Sequence, residues 1–202
     1  MVIVARMAAR VGVFGGTFDP PHVGHLVTAV NVRHALGLDR VLLVVANVPW
    51  QKLGTRTISP AADRLAMVRA AVGDVDGLEA SDVEIERGGH SYTADTLAAL
   101  READPDVELF VVLGADAAAG LDTWERVDEV RRLARVVVVD RPGEPPPVAP
   151  EGWRWTHVEV PRLEVSSTDL RDRVADGRPL DYLLPPAVIS CIRERHLYRG
   201  PT

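Results

Sequence analysis

Three short runs restrict this chain more than any other feature: residues 41–46, 109–113 and 135–139 are almost wholly aliphatic. A strand with one face in water alternates apolar and polar side chains, whereas a strand covered on both faces need not. Runs of five or six residues are also too short for buried helices. They therefore read as central strands of a parallel sheet. Between and around them the apolar spacing lengthens to a helical period, over residues 24–36, 60–72 and 94–102 and again up to Leu133. Alternation of this kind predicts an α/β protein, a Rossmann-like doubly wound parallel sheet with helices on both faces and right-handed crossovers.

Weaker patterns complete the expected order. Residues 11–14, 83–86 and 155–160 read as strands, and 165–175 and 187–195 as two closing helices. Ser59 and Pro60 are suited to N-cap and first helical residue, and Gly37 to a C-cap. Residues 1–10 read as an N-terminal extension and 11–202 as a single domain, with a small C-terminal helical subregion from about 166 to 202. The proline-rich residues 141–150 read as an irregular surface excursion.

Composition removes several function classes. At 202 residues and 47% hydrophobic content the chain can bury one sizeable core. A net charge of −6 argues against a broad nucleic-acid surface while leaving room for a local phosphate pocket. One cysteine, Cys191, allows no intrachain disulfide and sits in an apolar helical pattern, which predicts a packing role. No run is long enough to span a membrane, and the opening residues are too interrupted for a secretory leader. The expectation is a soluble cytoplasmic protein without membrane or nucleic-acid partners.

Chemistry concentrates at one turn: Gly15-Gly16-Thr17-Phe18-Asp19-Pro20-Pro21-His22-Val23-Gly24-His25 follows the first strand and opens the first helix. Glycines 15 and 16 let backbone amides approach a bulky anion. The helix start adds free N–H groups and a favourable dipole. His22 and His25, three apart, can face one ligand. Other loops fall on the same edge of the sheet. Asn47 to Lys52 follows the second strand, and a flexible Lys52 ammonium suits phosphate. Arg64, on the next helix, reads as structural. Gly114 and Asp116 close a later strand. Ser166, Ser167 and Thr168 open another helix, with Arg171 one turn further on, a second anion-binding terminus.

The first of these segments resembles the Gly-Gly-Thr-Phe-Asp-Pro-x-His-x-Gly-His signature of the nucleotidyltransferase superfamily, and Ser-Ser-Thr-x-x-Arg resembles its distal phosphate motif. Ser91-Tyr92-Thr93-Ala94-Asp95-Thr96-Leu97, Gly114-Ala115-Asp116 with Leu121 and Trp124, and the closing Leu197-Tyr198 are similar to segments of bacterial nicotinate-nucleotide adenylyltransferases. The chain departs from the family's Pro-Pro-His-Lys loop, carrying Pro49-Trp50-Gln51-Lys52.

The resemblance implies transfer of AMP from ATP to nicotinate mononucleotide, with His22, His25, Lys52 and Arg171 as catalytic groups. It implies an ATP site of Gly15, Gly16, Thr17, Phe18, His22, His25, Gly114, Asp116, Ser166, Ser167, Thr168 and Arg171. The acceptor would meet Gly16, Thr17, Asn47, Lys52, Tyr92, Thr93 and Trp124. An indole at Trp124 suits stacking on a pyridine ring, and the Tyr92 and Thr93 amides suit a carboxylate. Mg²⁺ is implied as cofactor through phosphates and water, an ion that seldom uses all-protein cages. A homo-oligomer is compatible with the family. Alternatives are a sibling nucleotidyltransferase with another phosphate acceptor, such as phosphopantetheine, and a non-catalytic nucleotide-binding regulator.

Overall fold

The structure, a computed structural model, describes residues 8–49, 57–140, 151–161 and 163–199. Lys52, Trp50 and the proline-rich excursion fall outside these residues. The chain opens with β1 (Arg10–Gly16), α1 (Val23–Leu36), β2 (Arg40–Val45), α2 (Ala61–Val72) and β3 (Leu78–Ser81). Two helices follow, α3 (Val83–Arg87) and α4 (Thr93–Ala103), then β4 (Glu108–Gly114), α5 (Ala115–Ala119) and α6 (Val127–Leu133). Strands β5 (Ala134–Asp140) and β6 (Trp155–Glu159) precede α7 (Ser167–Asp176) and α8 (Pro186–Glu194). The six strands form one sheet in the order β3-β2-β1-β4-β5-β6, every pair parallel.

Two apolar layers explain the three aliphatic runs. Alternate residues of a strand point to opposite faces, so Leu42 and Val44 join a cluster with Val111, Val138 and the helical Leu97 and Val130. Leu43 and Val45 join the other, with Val112, Val137 and the helical Val32 and Val68. A third cluster packs α2 against α7 and α8 through Met67, Leu170, Val188 and Ile192. Thus α2 lies between the sheet and the C-terminal helices. Cys191 packs beside this cluster, and burial pushes its thiol up, which suits a packing role.

One expected strand is a helix. The alternation Val-Glu-Ile-Glu over residues 83–86 predicts a strand, yet Val83–Arg87 is helical. The outer strand is Leu78–Ser81 instead, paired with Val41 to Val44 of β2. Four residues of alternation fit either period, and Gly77, at φ 73°, admits the turn that starts the strand early. The Ser59-Pro60 start is also one residue off, with Pro60 at the N-cap position. Gly37 caps α1 as expected, in the left-handed region at φ 57°, its amide donating to carbonyls of Arg33 and His34. Among the described residues no helix is long and apolar enough to cross a membrane.

Candidate active site

In this strand order the connections leave β1 to opposite sides, so a crevice opens beyond the carboxyl ends of β1 and β4. The signature turn fills that position. Phe18 takes a left-handed φ of 50° and is buried. Its ring lies under Gly16, where a Cβ would come within 2.7 Å of ring carbons. A Cβ at Gly15 would meet nothing within 4 Å, so the space above that residue is open to a ligand. Phe18 therefore shapes the turn from beneath and lines neither cavity described below.

His22 sits at the N-cap of α1 and His25 in its first turn, their ring centroids 3.8 Å apart. The His22 amide donates to His25 Nδ1 at 3.1 Å. That bond makes Nδ1 an acceptor, so the ring's proton belongs on Nε2. His22 is only 8% exposed, and burial lowers its pKa to about 4. At neutral pH and without ligand it is an uncharged imidazole, because desolvation disfavours the charged form.

Both histidines line a cavity of about 560 Å³ together with Phe14, Gly114 and Asp116. Val139, Asp140, Val160, Leu163 and Val165 also line it. The Ser-Ser-Thr helix end stands just beyond Val165. Ser166 caps α7 by accepting the Asp169 amide, and Ser167 Oγ donates to the Pro20 carbonyl at 2.9 Å. Arg171 donates to the Asp19 carbonyl at 2.8 Å and to Thr168 Oγ1 at 3.1 Å. The two predicted anion-binding termini are therefore bonded together across 147 and 152 residues of sequence. The Ser167 hydroxyl and the Arg171 guanidinium are thus engaged by the turn itself.

A second cavity of about 280 Å³ lies on the other face of the sheet, since Val13 lines it while neighbouring Phe14 lines the first. Gly15, Gly16, Thr17, Tyr92, Thr93 and Trp124 bound it, and Ala117 of α5 borders both cavities. Tyr92 is the N-cap of α4, so the helix presents its amide end there. Asn47 is not among the lining residues. Its amide donates to Ser91 Oγ at 2.8 Å and its side chain to the Gly89 carbonyl at 2.9 Å, fixing the loop that carries Tyr92.

Glu84 is the residue here that the sequence did not point to. It lines the second cavity, 6% exposed, and accepts from Thr96 Oγ1 at 2.6 Å. Assignment of residues 83–86 to a strand concealed it; a helical reading would have put Glu84 on an inward face. Arg64 is structural, as expected, and its reach is wider than sequence showed. Buried to 1%, it donates to carbonyls of Ser59, Thr17, Ala46 and Asn47, joining the signature turn to the loop after β2.

A parallel sheet of this order, with a histidine-bearing helix start facing one cavity and an aromatic pocket behind it, is the build of a nucleotide-binding α/β protein. Known proteins agree. Residues 13–173 match the model of the cytidylyltransferase-like family. A probable nicotinate-nucleotide adenylyltransferase from Corynebacterium kroppenstedtii is 45% identical over 192 residues, covering 94% of this chain and 90% of that protein. One of the same name from a Roseiflexus species is 46% identical, covering 95% and 99%. A Plasmodium falciparum nicotinic acid mononucleotide adenylyltransferase, solved with NaAD, superposes with a TM-score of 0.75 over 94% of this chain and 97% of its own. At 16% identity that likeness is one of fold. The chain belongs to the cytidylyltransferase-like family and, within it, to the nicotinate-nucleotide adenylyltransferases.

Proposed function

We propose that this protein transfers the adenylyl group of ATP to nicotinate mononucleotide, giving nicotinate adenine dinucleotide and pyrophosphate, a step of NAD biosynthesis. The observation that carries the reading is the pair of cavities on opposite sheet faces, which share Ala117 and flank the end of β1, Phe14 lining one and Gly15 and Gly16 the other. One suits a triphosphate and the other an aromatic ring with a carboxylate.

The acceptor's phosphate oxygen attacks the α-phosphorus of ATP, and the bond to the β-phosphate oxygen breaks. A phosphate anion is nucleophile enough, so no protein base is required. The protein's work is alignment of two anions and stabilisation of charge moving onto pyrophosphate. His25 offers an Nε2–H, and the first amides of α1 add donors at the same point. His22, uncharged before ATP arrives, acts by hydrogen bonding; the approaching triphosphate favours its protonation. Arg171 and Lys52 are the cations assigned to the leaving group, and Asp116 to the ribose. On the acceptor side, Trp124 stacks on the pyridine ring while the Tyr92 and Thr93 amides receive its carboxylate.

A divalent metal, read here as Mg²⁺, neutralises triphosphate charge when bound. Such an ion seldom uses all-protein cages and would be held mainly by phosphates and water. Asp116 and Asp140 are the carboxylates lining that cavity. In the same reading residues 11–202 act as one unit whose helical part, from about 166, closes the phosphate side. A cytoplasmic location is implied by the use of ATP.

Pyrophosphate release should be measured with ATP and a panel of acceptors: nicotinate mononucleotide, nicotinamide mononucleotide and phosphopantetheine. Release with the nicotinate compound well above the other two supports the reading. A preference for phosphopantetheine, or ATP binding without release for any acceptor, rejects it.

A further inference from the structure

We propose that Tyr198, beyond the last helix and outside both cavities, is a positioning residue for the histidine pair, acting through the buried carboxylate of Asp19. The inference rests on the reading of His22 and His25 as phosphate contacts. It begins from a carboxylate in an unlikely place. Asp19 lies in the middle of the signature turn and is only 1% exposed. A buried carboxylate must be met by donors or it destabilises its surroundings. Tyr198 supplies the short one, its hydroxyl donating to Asp19 Oδ1 at 2.7 Å across 179 residues. The Ser59 amide approaches Oδ2 at a longer 3.4 Å.

The rest of the C-terminal segment grips the same turn on both sides of His22. Before it, Arg171 and Ser167 donate to the carbonyls of Asp19 and Pro20. After it, the Val23 amide donates to the Leu183 carbonyl at 3.1 Å. The backbone that aims the imidazoles is therefore held from behind by groups far along the chain, and Phe18, in its left-handed conformation, leaves it little freedom to settle elsewhere.

The bond to Asp19 is shorter than the phenol's contact with the Met67 sulfur. Tyr198 itself adopts φ 61°, and its hydroxyl lies 3.7 Å from the Met67 sulfur, inside the packing around α2. A phenylalanine would fill the same space, so packing alone does not require the hydroxyl. Burial and the Asp19 carboxylate push the phenol's pKa far above its ordinary value, and it remains a donor throughout the neutral range. Charge-assisted bonds of this type are shorter and stronger than neutral ones. The acceptor pocket shares Gly15, Gly16 and Thr17 with this turn, but its ring and carboxylate contacts, Tyr92, Thr93 and Trp124, come from elsewhere, so acceptor binding should change less than turnover.

The test is Tyr198→Phe, read in two ways. In the adenylyl transfer assay kcat should fall about tenfold or more, with KM for nicotinate mononucleotide within about twofold, because transition-state alignment and not acceptor binding is disturbed. In the ligand-free protein the imidazole Cε1–H NMR signals of His22 and His25 should shift while Tm drops by only a few degrees. Ile192→Ala, which weakens the same packing without touching Asp19, should lower Tm and leave those signals in place. Unmoved imidazole signals with unchanged kcat in Tyr198→Phe would overturn the proposal. So would signals moved equally by Ile192→Ala, which would reduce Tyr198 to a packing residue. If Tyr198→Phe does not fold, Asp19→Asn serves: it keeps an acceptor but loses the charge, and should move the same signals less, whereas no movement counts against the proposal. Absence of adenylyl transfer in the unaltered protein would reject the functional reading, and the NMR arm would still decide the role of Tyr198.

Discussion

At the scale of single residues, the two imidazoles of the signature turn sit in different environments. His25 Nδ1 accepts from the His22 amide, which leaves the ring proton on Nε2. His25→Ala should lower turnover about 100-fold, the usual loss when one preorganised donor is removed, with KM for nicotinate mononucleotide changed by less than about threefold. Steady-state kinetics with both substrates varied checks this, and a loss confined to acceptor KM would contradict it. His22 carries a prediction about pH. Its folded pKa of about 4 lies below the ordinary 6.5, so between these values the unfolded chain holds a proton that the folded one rejects. Its contribution is full above pH 6.5 and is lost as pH falls toward 4, by at most roughly 3 kcal/mol. Thermal melts of the parent and His22→Gln between pH 4 and 7 should show the steeper decline in the parent.

At the scale of elements, the informative contacts join loops that sequence places far apart. Helix α3 exists to present Glu84 to Thr96, and through Thr96 it steadies the first turn of α4 beneath Tyr92 and Thr93. Thr96→Val keeps the volume but strips the carboxylate of that donor, leaving a buried charge with less support. KM for nicotinate mononucleotide should rise about fivefold to tenfold with KM for ATP nearly constant. Equal effects on both would mean that the two cavities are not independent. Arg64 joins the turn after β1 to the loop after β2 through four carbonyls. Its truncation in Arg64→Ala orphans them in the interior and should cost about 3 kcal/mol or more by urea unfolding.

At the scale of the whole molecule, the sheet carries a cavity on each face, and Ala117 borders both. The C-terminal helices form a third layer over α2, and Ile192, 2% exposed, is central to it. Ile192→Ala should reduce stability by about 2–4 kcal/mol through transfer and cavity terms. Well below its lowered melting temperature the variant should retain kcat, because the bonds to Asp19, Pro20 and Val23 remain. A proportional loss of kcat at low temperature would show instead that this layer tunes the site directly.

Much of this was legible along the chain, because local chemistry carries it. Aliphatic runs without alternation required strands covered on both faces, and Gly37 announced the end of α1. The glycines, histidines and serines of the two termini marked two turns that the structure brings together through Ser167 and Arg171. The strand misread at residues 83–86 shows the limit: four alternating residues satisfy two periods, and packing against Thr96 chose the helix. The engagement of Arg171 with the Asp19 carbonyl, the reach of Arg64 and the bond from Tyr198 to Asp19 left no trace in sequence spacing. They depend on where distant segments come to rest, and a buried donor finds its acceptor only once the layers have closed around both.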